Sequence, residues 1–505
     1  MPTAAAFSPR FPILHDIFDG ARRETRVFGV LAVLLVLARS APFLIWGHID
    51  FDSDQAIVGL MAKHLSEFRT FPLFFYGQNY MLGVQSWVIA PFFWIARPSI
   101  AVLKTPLVIL NIAAALLLMR GVSSRLGLRP AIGFVAALPF IVPTPVLGSR
   151  FLQTLGTSGV EPLLYVLFLW MLRARPFAFG ALLAFGFVHR EFTMYALPAL
   201  ALVELADRSA WTRTAVRQVL YGAGGFALVW LILDNAKMHL NGSSLILQVQ
   251  QLGKFSCFGG PALIERLQYI VTPIWPILTG GTEMQLDQYA LRSSAVAGSA
   301  VIGWAVGGMT VVMLFRLAWL SRGRRSGPDI AFALYLALVG GFALAGYSMT
   351  CSYTFPVVRY FSLALLVPIG CFAAFVAREP AAWLRKTAVA VFVLWGIANF
   401  TDSLRVVREA SINPQPDPHR ELTEFLLSHQ IRYARANYWD AYVVDFLSRE
   451  RVIVGSHGPA RIPEYERRVN EQSETAVNIE RMPCTGQFYV ADWCIHAPAT
   501  RPAGR

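Results

Sequence analysis

The chain has 505 residues, of which 55% are hydrophobic and only 15% are charged, and its mean hydropathy is +0.49. A soluble chain of this length carries more charge, so the composition excludes a soluble globular protein. The net charge of +13 does not indicate a nucleic-acid partner. The arginines lie in short segments between apolar runs, where the positive-inside rule of membrane proteins predicts them.

Apolar runs of nearly membrane-spanning length recur from Val27 to about Phe400, which predicts a polytopic α-helical membrane protein. Residues 1–26 are basic, so we expect them in the cytoplasm. The basic clusters that follow alternate apolar runs predict about eleven transmembrane helices within residues 27–400, with the C-terminus outside. The run from Met81 to Trp94 is the exception. It is predicted to lie on the outer surface as a juxtamembrane helix, because a crossing there would place the next basic cluster outside.

The first external loop, residues 48–99, has the most informative sequence. It opens with three acids at alternate positions: Asp50, Asp52 and Asp54. A short amphipathic helix is predicted next, with apolar residues along one face: Ile57, Met61 and Leu65. Acids beside a membrane are costly unless they face water or take part in chemistry. The alternative is a solvated loop in which Ser53 caps the helix and the acids stabilise its start.

Two short motifs in this loop carry a family resemblance. Residues 54–64 read DQAIVGLMAKH, and residues 71–81 read FPLFFYGQNYM. The pattern resembles the GT-C superfamily of membrane glycosyltransferases, and most of all the branch of protein O-mannosyltransferases and lipid A aminoarabinose transferases. The resemblance implies a polyprenyl-phosphate sugar as donor and a catalytic aspartate in this loop. That residue is Asp54, with Asp52 as a neighbour that could substitute for it. The family usually has Asp-Glu here, whereas this chain has Asp54-Gln55.

The donor phosphate is expected near the start of a late helix. Residues 356–368, PVVRYFSLALLVP, resemble the Arg-Tyr…Pro signature of the superfamily, which implies that Arg359 lies near the phosphate with Tyr360 beside it. Arg190 is a second candidate for the same role. The alternative for Arg359 and Tyr360 is an ordinary interfacial belt of snorkelling arginine and tyrosine.

Two further acids are predicted on the outer side beside short apolar runs. Glu161 and Glu191 are candidates for a second catalytic acid. Glu161 is equally explained as an interfacial acid near a helix start. Glu191 is equally explained as the ion-pair partner of Arg190.

Polar and aromatic residues of the loop are candidates for a sugar or acceptor subsite: Tyr76, Gln78 and Tyr80. An interfacial aromatic belt is the alternative. Gln85 stands where related sequences often carry Glu. His64 could be a ligand or a proton relay, but a lone histidine on an amphipathic helix is more often solvated.

Residues 401–505 differ in composition and predict a small extracytoplasmic α/β domain, loosely packed on the membrane part. Pro414, Pro416 and Pro418 mark a linker. A helix is predicted over Arg420 to His429, and strands over Val452 to Val454 and Gln487 to Val490. Aromatic residues here could contact an acceptor glycan, but for a small domain core positions are favoured: Tyr438, Trp439 and Tyr442.

The five cysteines show neither a CxxC motif nor a Cys/His metal spacing. Cys484 and Cys494 lie close together and could pair if the domain is outside the cytoplasm, or remain buried thiols. No cofactor is indicated, and a divalent cation is the only candidate left open.

The function predicted from these features is an inverting glycosyltransferase of the bacterial inner membrane. It would move a sugar from a polyprenyl-phosphate carrier to a periplasmic glycan, glycolipid or protein. A transporter or flippase of lipid-linked sugars is one alternative, but paired repeats and central intramembrane charges are not clear in the sequence. A degenerate GT-C scaffold is the other, because Gln55 and Gln85 replace expected acids.

Overall fold

The computed structural model describes residues 21–154, 159–206, 213–241, 244–247, 260–281, 297–322, 329–349 and 358–496. The predicted cytoplasmic segment before residue 21, together with Cys257 and Cys351, lies outside these residues. The helices that precede the C-terminal domain are α1 (Ala21–Ile45), α2 (Ser53–Ser66), α3 (Val84–Ile95), α4 (Ile100–Arg125), α5 (Pro130–Ile141), α6 (Pro145–Arg150), α7 (Glu161–Leu172), α8 (Pro176–His189), α9 (Ala196–Ala206), α10 (Arg213–Asn241), α11 (Gly260–Tyr269), α12 (Trp275–Thr279), α13 (Ala297–Ser321), α14 (Ala331–Ser348), α15 (Val358–Phe361), α16 (Leu366–Arg378) and α17 (Ala382–Ile412).

Among the described residues, seven helical segments are long and apolar enough to cross a membrane: Arg23–Ile45, Ile100–Arg125, Val216–Leu240, Ser299–Ser321, Ala331–Ser348, Val358–Arg378 and Ala382–Ile412. The prediction of a multi-pass helical membrane protein is therefore confirmed. The count of eleven spans is not. Helices α7 and α8, predicted as spans, have 12 and 14 residues. At 1.5 Å per residue they reach only about 18 and 21 Å, short of a hydrocarbon core of roughly 30 Å.

Two buried cations face the interior of the helical part. Arg39 of α1 donates to the carbonyl of Ile141 at 3.1 Å and to Asn111 Oδ1 at 2.7 Å. Lys104 of α4 forms a fully buried ion pair with Asp50. Burying such charges is tolerated only when they are paired or hydrogen-bonded, so both contacts fix those ends of the first two long helices that adjoin residues 48–99.

The external loop forms a compact layer on the helical part. Asp52 caps α2 by accepting a hydrogen bond from the backbone N–H of Gln55 at 3.0 Å. After α2 come the antiparallel strands β1 (Phe74–Phe75) and β2 (Gln78–Leu82), and then α3. The predicted loop helix is confirmed as α2, and α3 is a short apolar helix of 12 residues at the position of the predicted juxtamembrane helix.

The C-terminal domain follows α17, which continues through residue 400 to Ile412. It combines helices α18 (Pro418–Ser428), α19 (Tyr438–Leu447) and α20 (Pro463–Glu471) with strands β3 (Tyr433–Ala436), β4 (Ile453–Ser456), β5 (Val477–Arg481), β6 (Phe488–Val490) and β7 (Trp493–His496). The strand order is β4-β3-β5-β7-β6, and β3, β4 and β5 are parallel. A disulfide joins Cys484 to Cys494. The predicted small α/β domain is confirmed.

The domain is not loosely packed against the external loop. Helix α2 lies on α19, and residues of both share one hydrophobic cluster. Gly59 of α2 makes this approach possible, because a Cβ there would lie 2.5 Å from the Phe446 ring. The sequence did not predict this interface, since it depends on contacts between segments almost 400 residues apart.

Candidate active site at the external loop

Asp54 lies where the loop meets the C-terminal domain. The Tyr438 hydroxyl, at the start of α19, donates a hydrogen bond to Asp54 Oδ1. Ser53 Oγ donates to the Tyr438 carbonyl at 2.6 Å, which fastens the same two chain segments through the backbone. Burial, together with the Asp54 carboxylate, raises the pKa of Tyr438 above its usual value. Tyr438 therefore stays protonated and acts as a donor that orients the carboxylate.

Arg461, also from the C-terminal domain, contacts the Tyr438 side chain of this Asp54–Tyr438 pair. Its Nε lies 3.4 Å from the Tyr438 hydroxyl, and its guanidinium stands over the tyrosine ring, 5.5 Å from the centroid. Its Nη1 donates to the carbonyl of Gly77 at 2.9 Å. Gly77 has φ +66°, and a Cβ there would lie 2.8 Å from the Arg461 side chain, so glycine is required for this contact.

Two of the predicted sugar-binding residues belong to the same cluster. With its amide oriented to satisfy both groups, Gln78 accepts from Arg461 Nη2 at 2.6 Å and donates to the Tyr80 hydroxyl at 3.3 Å. Tyr80 is exposed. The structure thus brings Asp54, Gln78 and Tyr80 together through Tyr438 and Arg461. An exposed ring beside oriented amide and guanidinium groups can bind a sugar by stacking and hydrogen bonding.

Asp52 is half-buried beside Asp54. Burial, followed by the negative charge of Asp54, raises the pKa of Asp52 to about 7, although Arg150 and the N–H of Gln55 act in the opposite direction. Asp52 therefore exchanges its proton near neutral pH, where a general base works best. Arg150, at the end of α6, lies close enough to Asp52 to lower its pKa.

The third acid of the loop, Asp50, is buried away from these two. Besides the ion pair with Lys104, it accepts a hydrogen bond from Ser149 Oγ at 2.7 Å. Gln55 donates its side-chain amide to the carbonyl of Asp50 at 2.5 Å. The residue that replaces the expected second acid thus supports the backbone of the loop.

Tyr76 belongs to a different group, centred on Glu450 of the C-terminal domain. His64 bridges Tyr76 Oη and Glu450 Oε1, at 3.0 Å from each. Lys63 and Arg69 also bond to Glu450. Burial alone would raise the pKa of the Glu450 carboxyl, but hydrogen bonds from His64, Lys63 and Arg69 outweigh it and hold that pKa far below its usual range. His64 is therefore a buried partner of this carboxylate and not a solvated side chain.

Glu161 and Arg190 lie on the membrane side of the loop. Glu161, the first residue of α7, is buried, and its Oε1 accepts from Gln85 Nε2 at 2.5 Å. Its Oε2 has no hydrogen-bond partner among the residues that the structure describes. Arg190 lies 3.5 Å from the sulfur of Met81, in β2. Glu191 begins the short 3-10 turn that follows Arg190.

Arg359 and Tyr360 complete the set of predicted residues. Arg359 Nη2 donates to the Tyr360 hydroxyl at 2.9 Å. Tyr360 packs edge-on against Phe192, two residues beyond Arg190, and α15 lies beside α6, which ends at Arg150. These contacts place Arg359 near the segments that carry Arg190 and Arg150, and Arg150 in turn lowers the pKa of Asp52. Arginines grouped in this way can bind a phosphate.

No group of three or more His, Cys, Asp or Glu suited to a metal ion occurs within the described ranges.

Sequence reasoning missed Arg461 and Glu450 and assigned Tyr438 and Trp439 to the core, whereas Trp439 is exposed. Tyr442 is indeed buried and accepts from the Arg461 N–H at 2.6 Å. One feature of the sequence does point to Tyr438: it stands four residues before Tyr442 at the start of a helix, so both tyrosines lie on the same helix face. The sequence does not show which of the two faces the loop.

Comparison with solved structures identifies the architecture. ArnT from Cupriavidus metallidurans, crystallised bound to undecaprenyl phosphate, is similar with a TM-score of 0.53 and 9% identity, over 95% of this chain and 99% of ArnT. An oligosaccharyltransferase from Archaeoglobus fulgidus, in the apo form, has a TM-score of 0.43 and 13% identity, over 90% of this chain and 69% of its own. No protein-family model matches the sequence, and no curated protein matches it significantly. ArnT is a lipid A aminoarabinose transferase of the GT-C superfamily, and this chain has the GT-C fold.

Proposed function

We propose that this chain is an inverting GT-C-type glycosyltransferase that uses a polyprenyl-phosphate sugar as donor. The observation that carries the proposal is the fold shared with ArnT over nearly the whole of both chains. ArnT was crystallised with undecaprenyl phosphate, so a lipid of this class is the expected donor carrier. Fold likeness supports a reaction class and not a substrate, so the acceptor is proposed only as a glycan, glycolipid or protein hydroxyl.

In the proposed reaction the acceptor hydroxyl oxygen attacks the anomeric carbon of the donor sugar. The bond from that carbon to the phosphate oxygen breaks, and its electron pair leaves with the phosphate. The acceptor proton passes to the Asp54 carboxylate, which the Tyr438 hydroxyl orients. A carboxylate within hydrogen-bond reach of the attacking hydroxyl is suited to this role. Asp52, with a pKa of about 7, is the alternative acceptor for the proton.

The leaving phosphate needs cations, and arginine binds phosphate oxygens through a planar, permanently charged fork. Arg359 is proposed to hold the phosphate, with help from Arg190, which lies two residues before the Phe192 ring that Tyr360 packs against. Arg461 is proposed to act from the acceptor side, because it lies on Tyr438 and Gln78.

The proposed setting is the bacterial inner membrane, with the N-terminus in the cytoplasm and the C-terminal domain in the periplasm. The basic clusters of the sequence support this orientation. The disulfide in the C-terminal domain agrees with it, because disulfides persist in oxidising compartments.

The test is sugar transfer from a labelled polyprenyl-phosphate donor pool to endogenous acceptors in membranes. The variants are Asp54→Asn and Arg359→Ala, and Asp329→Asn is the matched control. Asp329 is exposed and accepts a hydrogen bond from the Ala331 N–H, a bond that asparagine keeps. We expect transfer by the wild type and the control, and a loss of about 100-fold or more for Asp54→Asn, the scale of a missing general base.

Full transfer by Asp54→Asn would reject the base assignment. Full transfer by Arg359→Ala would reject the phosphate assignment alone. If the wild type transfers nothing from any donor tested, the transporter and scaffold alternatives replace the enzyme.

A further inference from the structure

A cavity lies between the helical part and the C-terminal domain, away from the candidate active site. Its volume is about 340 Å³. One wall consists of the outer ends of two long helices, with Leu44 and Ile45 from α1 and Ile100 from α4. The other wall comes from α18 and the end of α19. Phe446, on this wall, is eight residues beyond Tyr438, or about 12 Å along the helix. The two sites are therefore separate.

The two walls differ in chemistry. The helix-end wall is mainly apolar, with Ile45 67% exposed, and also carries His48 and Ser99. The domain wall carries three arginines against two acids: Arg420, Arg449, Arg451, Asp417 and Glu424. Asp417 is already engaged, because it accepts from the Arg420 N–H at 3.2 Å and pairs with Arg420 Nε at 3.3 Å. The other arginines and acids that line the cavity are Arg449, Arg451 and Glu424, so positive charge is in excess there.

Arg449 and Arg451 each use Nε for a backbone carbonyl. Arg449 Nε donates to Pro98 at 3.3 Å, and Arg451 Nε donates to Ser448 at 3.1 Å. Arg449 has φ +55°, a backbone conformation that costs free energy in a non-glycine residue and persists only where the surroundings fix it. The terminal guanidinium nitrogens of both residues have no partner among the described residues, so they can bind an anion.

We infer that this cavity binds the phosphate headgroup of an anionic membrane phospholipid. The apolar wall is formed by the ends of spanning helices, where the acyl chains and headgroups of a bilayer meet. The guanidinium wall suits a phosphate, which accepts paired hydrogen bonds from arginine. The volume is within the range of small-ligand sites. An amphiphile with an anionic head matches both walls, whereas a free anion would leave the apolar wall unused.

The experiment measures thermal unfolding of the full chain, purified in a zwitterionic detergent. Phosphatidylglycerol, phosphatidylcholine or inorganic phosphate is added separately. A ligand that binds the folded state raises the unfolding temperature in proportion to its occupancy. We expect a concentration-dependent rise with phosphatidylglycerol alone. The double variant Arg449→Gln/Arg451→Gln should need about tenfold more of this lipid for the same rise, since each arginine contributes to binding an anionic lipid.

Two further variants make the result specific. Arg467→Gln/Arg468→Gln removes the same charge from α20, outside the cavity, and should respond like the wild type. Glu424→Gln removes the opposing acid at an exposed position and should need several-fold less phosphatidylglycerol. This gain of affinity tests the site even if the double arginine variant fails to fold.

A wild-type response from both cavity variants would overturn the inference. So would an equal rise with phosphatidylcholine. An equal rise with inorganic phosphate would assign the cavity to a free anion and overturn the lipid occupant. The readout is unfolding and not sugar transfer, so the outcome does not depend on the proposed function.

Discussion

The Tyr438 hydroxyl of the C-terminal domain donates a hydrogen bond to the Asp54 carboxylate of the external loop, across 384 positions of sequence. The candidate base is therefore held by a residue of a different domain. Arg461 contacts the hydroxyl of the same tyrosine and donates a hydrogen bond to the carbonyl of Gly77 in the loop. The position of Asp54 consequently depends on the C-terminal domain being docked, which makes this domain a part of the proposed site.

Tyr438→Phe removes the donor to Asp54 and keeps the ring. We expect sugar transfer to fall by about 10- to 100-fold, because a hydrogen bond to a charged group contributes roughly 1.5–3 kcal/mol. The loss should appear in the maximal rate and not in the donor concentration for half-maximal rate, since Tyr438 orients the base. Initial rates in membranes with equal amounts of protein measure this.

The matched control for this prediction is Tyr489→Phe, at an exposed tyrosine of the same domain, 60% accessible. It should leave the rate unchanged. If Tyr438→Phe transfers sugar as fast as Tyr489→Phe, Tyr438 has no role in positioning Asp54.

Glu450→Gln should loosen the loop from the C-terminal domain. Lys63 is buried against Glu450 and would lose the charge of its main partner. Breaking a buried ion pair by removing one member costs about 3–5 kcal/mol. We expect a lower unfolding temperature and faster proteolysis at the junction of the domain. Glu471→Gln, which breaks an exposed ion pair with Arg467, should change stability by less than about 1 kcal/mol. Equal stability of the two variants would contradict a structural role for Glu450.

The raised pKa of Asp52 predicts that its contribution to folding stability changes with pH in the direction opposite to that of most acids. Its pKa is raised to about 7 in the folded chain, so the folded state holds the proton more tightly than the unfolded state. The stability that Asp52 contributes is therefore greatest at acid pH, falls as the pH rises from about 4 to about 7, and is constant above that. Asp52→Asn keeps the helix cap and should remove this part of the profile. If the free energies of unfolding of the wild type and the variant run parallel between pH 5 and 8, the raised pKa of Asp52 is ruled out.

Local patterns in the sequence were sufficient for much of the fold. The apolar runs predicted the membrane helices, and the apolar face of Ile57, Met61 and Leu65 predicted α2, although the residue that caps this helix is Asp52 and not Ser53. In the C-terminal domain, two of five strands were predicted, at β4 and β6. The three missed strands are no shorter than the two predicted ones, but the position of β3 beside β5 is fixed by partners distant in sequence, such as Ala434 opposite Val477.

The site was only partly predictable for the same reason. The loop residues Asp52 and Asp54 could be selected from spacing and family resemblance. Arg461 and Glu450 could not, because nothing in their local sequence distinguishes them from other charged residues of a solvated domain. Their roles follow from docking the domain on the loop, where Gly59 and Gly77 permit close contact.

The disulfide between Cys484 and Cys494 allows the orientation of the chain to be tested. In a variant that lacks Cys257 and Cys351, the remaining free thiol is Cys371, which is buried. A membrane-impermeant maleimide added to intact cells should therefore label the chain only after reduction, provided that the C-terminal domain is outside. Reduction should also destabilise the domain by about 2–4 kcal/mol, the usual contribution of a disulfide. Cys484→Ser/Cys494→Ser is the control, which should remain unlabelled in both conditions. Labelling that requires permeabilised cells even after reduction would place the domain in the cytoplasm and reverse the proposed topology.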